Sequence, residues 1–405
     1  MTWQAWLLLL VLAISLSAVE VVALHAIYTA RFPGTADYYS RWAGARALLL
    51  EGRDPYSLEV TREIQDVLKI DHSLVGKSGF AYPLYVIFSF WPLIYLPYDW
   101  VQAIWMVTLQ WLAVAQVLLL LRIERWTPSP LGLGALLLGT LAFYPVTRTI
   151  MLGQFTLHVA FFLALTLLAL QHQRDGWAGV ALAVTTIKPQ MVVLIGPWLV
   201  LWALVQRRWR LVGGLLAGGG ALLLASLSLF PRWPLSFAAD VLRYSKVAGG
   251  RNPLTVLIDW LCPSAPEAVR YVLTGLLVLV TLAAWLRGLR HNGETFNLAL
   301  YWTITVSLLI LFQTGTTNQV LFLIPFFAWL HAGLKKWGRW WISLGAAILL
   351  VGLWALFLGT IHGDWEDPIM FLPLPLLSLA ILVGNEYKRW QSKRYSAIVS
   401  RRTAR

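Results

Sequence analysis

The sequence has one cysteine, Cys262, only 19 acidic residues in 405, and no long polar stretch outside residues 26–79. A lone cysteine excludes an intramolecular disulfide framework. No cysteine–histidine cluster stands at metal-ligand spacing, so neither redox chemistry nor structural zinc is expected. Walker-type and other glycine-rich phosphate loops are missing, as are paired carboxylates and any Ser/His/Asp arrangement at a useful spacing. Tandem repeats and low-complexity segments are missing too. Charged residues make up 13% of the chain against 59% hydrophobic, and that shortage of charge excludes a soluble globule with an ordinary surface. It also leaves no soluble domain of the kind that handles charged nucleotide donors.

What the chain has instead is apolar runs of roughly 17 to 25 residues, about twelve in all, each long enough to cross the hydrocarbon as a helix that satisfies its own backbone. An all-α polytopic membrane protein is expected, with residues 1–405 read as a single integral membrane domain. The net charge of +13 would point to nucleic acid in a soluble protein. Here its placement points to topology. Arg207, Arg208 and Arg210, then Arg287 and Arg290, then Lys335, Lys336 and Arg339, and the basic tail over 385–405 mark cytoplasmic ends. Asp54, Asp66, Asp240 and Asp259 fall in the intervening loops. The expected protein is a multi-pass plasma-membrane protein with a cytoplasmic C-terminus, an extracytoplasmic working surface and no nucleic-acid partner. The apolar stretch from Trp6 to Ile14 precedes Ser15-Leu16-Ser17, but no basic segment comes before it, so it reads as an uncleaved first helix.

That helix is expected over Trp3–Leu24. Residues 26–79 form the first extracytoplasmic loop. Pro33-Gly34 open it, and Asp37 begins an amphipathic helix with Tyr38, Trp42, Ala45 and Leu49 on one face, able to lie on the membrane surface. Gly52 stops this helix, Asp54-Pro55-Tyr56 turns the chain, and a second short helix covers Leu58 to Lys69. Phe80-Ala81-Tyr82-Pro83 are expected to start a spanning helix that ends near Pro97-Tyr98-Asp99, and another runs to Leu121. The runs Leu131–Tyr144 and Phe155–Leu170 are separated by Arg148, Gly153 and Gln154. Because the first run is short, Gly153-Gln154 fits either a cytoplasmic turn or the foot of a broken helix facing an outside cavity. The stretch from Trp177 to Val205 exceeds one crossing and is interrupted at Lys188-Pro189. A helix over Leu211–Leu229 leads to a second extracytoplasmic loop, residues 231–270. Four more helices follow, with loops at Gln313–Gln319 and His362–Asp367.

Some residues stand out from this pattern. Asp37 is placed to cap a helix, and Arg41, four residues on, is placed to pair with it. Lys188 beside a proline in an apolar run is costly and reads as functional, with snorkelling the plain alternative. His158 on an apolar helix is of the kind more often satisfied in a core than catalytic, and Gln154 suits an interhelical hydrogen bond. Most of the 23 tryptophans read as interfacial belt residues.

Asp37, Tyr39, Ala43-Gly44-Ala45-Arg46-Ala47-Leu48-Leu49, Gly52, Asp54-Pro55-Tyr56, Phe80-Ala81-Tyr82-Pro83, Gly153-Gln154 and Lys188-Pro189 occur in that order. This ordered set resembles the family 87 glycosyltransferases. The likeness continues through Arg207-Arg208-Trp209-Arg210 to Asn252-Pro253-Leu254 and Thr316 to Pro325. The resemblance implies a GT-C fold and transfer of a hexose, mannose in the first place, from a polyprenyl phosphate. It assigns the role of base to Asp37. Arg41, Arg46, Tyr82, Gln154, His158, Lys188, Arg251, Asn252 and Asn318 are the candidate substrate-binding residues. Two departures are visible. Pro83 is followed by Leu84 where members often have a second proline, and Thr316-Thr317-Asn318-Gln319 stands where many carry a histidine.

The chemistry implied is economical. A lipid phosphate leaves as an anion of low basicity, so no general acid is needed, unlike in the two-carboxylate glycosidases. One carboxylate suffices to take the acceptor's proton. Lys188 or Arg251 would hold the phosphate. With no second acidic residue beside Asp37, no metal or other cofactor is expected. The expected partners are a polyprenyl-phosphate sugar, a lipid or glycan acceptor, and the bilayer. The alternative is a transporter or flippase of lipid-linked sugars, which also uses broken helices and an intramembrane lysine. It predicts an inverted repeat that the sequence lacks, and it leaves the Asp37 loop without a task. A scaffold without activity leaves Lys188 and Gln154 unexplained.

Overall fold

The computed structural model describes residues 3–32, 37–74, 78–247, 252–311, 315–362 and 366–403. Pro33-Gly34, Arg251, Gln313, residues 363–365 of the His362–Asp367 loop and the end of the basic tail lie outside the described residues. All regular structure among the described residues is helical. The chain divides into two compact units, one of residues 1–189 and 210–250, the other of residues 190–209 and 251–405.

The first unit begins with α1 (Trp3–Leu24), prolonged by a π-helical turn His25–Thr29. Its side chains are apolar all round and largely exposed, as suits a helix surrounded by lipid. Next come α2 (Tyr38–Glu51), stopped by left-handed Gly52, and α3 (Leu58–Leu68), whose first turn is capped by Ser57 accepting from the Val60 N–H at 3.2 Å. Ala47 on α2 packs with Val60 and Ile64 on α3, so the apolar stripes of the two helices bury each other.

Residues 83–97 depart from the expected α-helix. They form two 3-10 segments, Leu84–Ser89 and Trp91–Tyr95. Pro83, Pro92 and Pro97 each lack the N–H that an i→i−4 ladder needs, so the apolar run cannot close as one helix. Then follow α4 (Tyr98–Ile123), α5 (Pro130–Leu141), α6 (Tyr144–Leu152), α7 (Thr156–Gln171) and α8 (Asp175–Val184). Helices α5 and α6 meet at 55°. After α8 the chain breaks into 3-10 turns at Thr185–Ile187 and Pro189–Met191, with Lys188 between them at φ −130°, ψ 78°, pushed out of the helical region by the proline behind it. Before the chain returns to this unit, α9 (Ile195–Val205) belongs to the second.

The returning helices are α10 (Trp209–Leu229) and α11 (Trp233–Val247). Helices α8 and α10 touch backbone to backbone. A Cβ on Gly179 would lie 2.1 Å from the Leu211 carbonyl oxygen, and one on Gly214 2.1 Å from that of Gly176. Small residues at this spacing are what lets helices approach closely in lipid.

In the second unit, α9 is joined by α12 (Pro253–Leu261), α13 (Glu267–Gly288), α14 (Glu294–Ile310), α15 (Leu323–Trp337), α16 (Arg339–Thr360) and α17 (Pro373–Thr403). Within it Trp202 donates to the His291 carbonyl at 3.1 Å and Trp285 to the Thr303 hydroxyl at 2.7 Å. Residues 231–270, expected as an extracytoplasmic loop, are built mostly from α11 and α12, and among the described residues four candidate spans begin at Glu267, Thr316, Arg339 and Pro368, with the shorter apolar α14 between the first two.

Among the described residues seven helical stretches are long and apolar enough to cross a membrane, and the bent α5–α6 pair makes an eighth if counted as one span. Helices α7, α9 and α14 are apolar but shorter. The chain is a multi-pass membrane protein.

Candidate active site

The first turn of α2 is fixed by aromatic packing. Tyr38 is 1% exposed and stacks on Trp105 of α4 with ring centroids 4.7 Å apart, while Phe90 meets it edge-on at 5.3 Å. Trp105 in turn donates its indole N–H to the Gly153 carbonyl at 3.0 Å. One ring thus binds the start of α2 to the corner between α6 and α7.

Asp37 stands just outside this packed turn, exposed, with φ −57° and ψ −22° and no capping bond from its side chain. The capping role that its spacing suggests is not what the carboxylate does. Arg41 donates to the Asp37 main-chain carbonyl at 2.7 Å rather than to the carboxylate. The carboxylate oxygen Oδ2 instead accepts from the Gln154 side-chain amide.

Gln154 is held at its other end by two donors. Its Oε1 accepts from Lys188 Nζ at 2.9 Å and from the Tyr82 hydroxyl at 3.0 Å. Because an ammonium group only donates, the amide oxygen must face Lys188, and the NH2 must then face Asp37. Gly153-Gln154 stand at the end of α6, the second helix of the bent α5–α6 pair, beside Asp37.

Gly153 makes this turn possible. Its φ is +67°, and a Cβ there would lie 2.5 Å from the Tyr38 Cβ. Gly153→Ala combines a left-handed alanine, costing about 1–2 kcal/mol, with a clash against a ring that cannot retreat. Purified Gly153→Ala is expected to unfold at a lower temperature than wild type and to lose at least tenfold in activity. Wild-type values of both would show that the corner tolerates a side chain.

Lys188 is 5% exposed, and the Arg41 guanidinium lies over the Tyr82 ring at 4.4 Å from its centroid. Asp37, Arg41, Tyr82, Gln154 and Lys188 therefore form one group, drawn from α2, the turn before the 3-10 segments, the α6–α7 corner and the α8 break. The turn that carries Tyr82 is braced by Tyr56, which stands in the Asp54-Pro55-Tyr56 motif, and by Asp240, which the sequence did not single out as a site residue. The Tyr56 hydroxyl donates to the Tyr82 carbonyl at 2.7 Å, and Asp240 of α11 accepts from the Ala81 N–H at 2.9 Å. Burial pushes the Asp240 carboxyl up from its ordinary value, against the pull of the Ala81 N–H and Arg243.

The other candidates are placed elsewhere. Arg46 donates to the Ile94 carbonyl at 2.5 Å and lies over Trp42, so it braces the second 3-10 segment. It also lines a cleft of about 280 Å³ between α2 and α3, where Arg53 is paired with Glu51 and Glu63. His158 is buried on α7 and stacks on Trp105 at 5.0 Å, without a hydrogen bond to the Asp37 group. Asn252 caps α12, accepting from the Thr255 N–H at 2.9 Å and donating to the Ile310 carbonyl at 3.0 Å. Asn318 is buried in the 3-10 segment Thr316–Phe322. Asn252 and Asn318 belong to the second unit, and Arg251 lies outside the described residues. Among the described residues no three His, Cys, Asp or Glu side chains converge as a metal ion would require.

A carboxylate, two basic side chains, a tyrosine and an amide thus meet at breaks in the helices of a multi-pass protein. The model of glycosyltransferase family 87 matches residues 80–310, more than half of the chain, and the chain belongs to that family. It is a membrane glycosyltransferase, as its motifs imply. No curated protein and no solved structure matches it. The matched segment contains Tyr82, Gln154, His158, Lys188 and Asn252 but begins after Asp37, Arg41 and Arg46. Asp37 is tied to it by the bond from Gln154.

Proposed function

We propose that this glycosyltransferase has a GT-C architecture and is inverting, taking a hexose, mannose in the first place, from a polyprenyl phosphate. It transfers the sugar to a hydroxyl of a lipid or glycan acceptor on the extracytoplasmic side. The observation that carries the reading is the single amide of Gln154 joining the Asp37 carboxylate at one end to Lys188 at the other. A base and a phosphate-binding group are thereby held one amide apart.

In the reaction the acceptor oxygen bonds to the anomeric carbon while the bond from that carbon to the phosphate oxygen breaks. The electron pair leaves with the lipid phosphate, and the acceptor proton passes to Asp37. Only Oδ2 of Asp37 is engaged by Gln154, which leaves Oδ1 for the acceptor hydroxyl. Lys188 and Arg41 stabilise the charge that grows on the phosphate. No further cofactor has a task in this scheme. The basic clusters support a cytoplasmic C-terminus and an extracytoplasmic site. About twelve crossings remain the proposed total, of which seven helical stretches, or eight with the bent pair, are long and apolar enough among the described residues.

Family membership favours transfer over the transport of lipid-linked sugars. The test is purified enzyme in liposomes with labelled polyprenyl-phosphate-mannose and a bacterial membrane-lipid extract. Label is expected to appear in a new glycolipid or glycan. Wild type that transfers no sugar from any polyprenyl phosphate, yet moves such a lipid across the bilayer, would replace this reading with a flippase.

A further inference from the structure

The chain carries a fully buried carboxylate outside the Asp37–Gln154–Lys188 group. Asp240 of α11 is 0% exposed. Its Oδ2 accepts from the Ala81 N–H at 2.9 Å, across 159 residues of sequence, and its Oδ1 accepts from Arg243 at 3.2 Å. The same Arg243 nitrogen donates to the Tyr56 carbonyl at 2.6 Å, and the Tyr56 hydroxyl donates to the Tyr82 carbonyl at 2.7 Å. The N–H of Ala81 and the C=O of Tyr82, the first and last main-chain polar groups of two neighbouring residues, are thus each held by a side chain from another element.

That turn is under strain. Ala81 sits at φ +47°, a region that an L residue occupies at a cost and keeps only when its surroundings over-determine it. Gly79 comes so near that a Cβ there would lie 3.1 Å from the Asp240 carboxylate. A buried carboxylate is itself costly unless paired and hydrogen-bonded, and removing one partner exposes the full cost. What the strained turn delivers is the Tyr82 side chain, whose hydroxyl meets Gln154 Oε1 at 3.0 Å and whose ring lies beneath Arg41.

From this we infer that Asp240 is a positioning residue for sugar transfer: it clamps the residue 79–82 turn so that Tyr82 holds the Gln154 amide toward Asp37. The inference rests on the reading of Asp37 as the base. In this reading Asp240 acts through the turn that carries Tyr82 and not by contact with substrate. Tyr56 is the second jaw of the same clamp.

The experiment compares Asp240→Ala and Tyr56→Phe with wild type by hydrogen–deuterium exchange and by sugar transfer from polyprenyl-phosphate-mannose. Tyr56→Phe removes one hydroxyl from an otherwise unchanged ring and guards against a failure of Asp240→Ala to fold. In both variants exchange is expected to rise in the peptide over residues 78–84 and to stay unchanged in α4 and α7. Transfer is expected to fall at least tenfold for Asp240→Ala and about threefold for Tyr56→Phe. Asp240→Asn, which keeps an acceptor for the Ala81 N–H, is expected to recover most of the loss. Added to Tyr82→Phe, either change is expected to cost nothing further, because the route is already cut. Losses that multiply with Tyr82→Phe, or transfer at the wild-type rate despite faster exchange, would overturn the inference. Unchanged exchange at 78–84 would overturn it whatever the enzyme does. Absence of transfer by wild type counts against the functional reading instead, and the exchange result still decides the clamp.

Discussion

Asp37→Asn is expected to reduce sugar transfer by about a thousandfold, within the range that a positioned general base supplies. Asparagine has nearly the same shape, and its carbonyl can still accept from the Gln154 amide, so the constellation around it is retained. What disappears is a group able to take the acceptor's proton. Donor binding should persist, since Arg41 and Lys188 are untouched. The check is single-turnover transfer from labelled polyprenyl-phosphate-mannose at matched expression, beside a photocrosslinking measure of bound donor. Transfer within tenfold of wild type would remove Asp37 from the chemistry. Loss of crosslinking along with transfer would make it a binding residue.

The second large effect is expected at Lys188. Lys188→Met keeps the length of the side chain and its apolar stem but removes every donor. Two losses then coincide. The phosphate loses a basic group where its charge develops, and Gln154 Oε1 keeps only the Tyr82 hydroxyl. A fall of roughly a hundredfold to a thousandfold in kcat is expected from the first alone, by comparison with other electrostatic stabilisers of transition states. Lys188→Arg should not rescue, because a planar fork cannot replace a point charge within a 5% exposed site. The informative comparison is with Gln154→Leu. If Lys188 served only to orient Gln154, the double variant would be no worse than Gln154→Leu and the donor KM would stay unchanged. A raised donor KM in Lys188→Met, absent from Gln154→Leu, is the expected sign of a phosphate contact.

Several features were legible from residue order. The first helix runs over Trp3–Leu24 as its hydropathy predicts, and α2 ends at Gly52 where a stop was expected, the glycine being left-handed. Lys188-Pro189 breaks its helix because proline removes a donor and restricts the residue before it, both of which are local effects. Residues 83–97 misled the reading, since their hydropathy suits a spanning helix while three prolines forbid one. Hydropathy reports what a segment is dissolved in, and only backbone donors report how it is wound.

The site shows the same division. Gln154 and Lys188 drew attention because polar groups in apolar runs are costly, and Asp37 and Tyr82 because they stand in family motifs. Asn252 stood in a weaker stretch of the same likeness, and its amide is occupied in capping α12. Tyr56 stood in the Asp54-Pro55-Tyr56 motif only as part of a turn, and Asp240 had no signal of its own, because an aspartate in a polar segment is unremarkable until something is packed over it. By itself the sequence determined that this is a helical membrane protein of a glycosyltransferase family, and that its helices break at Gly52 and at Lys188-Pro189, since hydropathy, charge placement, glycine and proline act over neighbouring residues. Only the tertiary structure decided that Gln154 faces Asp37 across 117 residues and that Asp240 reaches Ala81 across 159. A hydrogen bond depends on the positions of two atoms in space, and no periodicity along the chain encodes those positions.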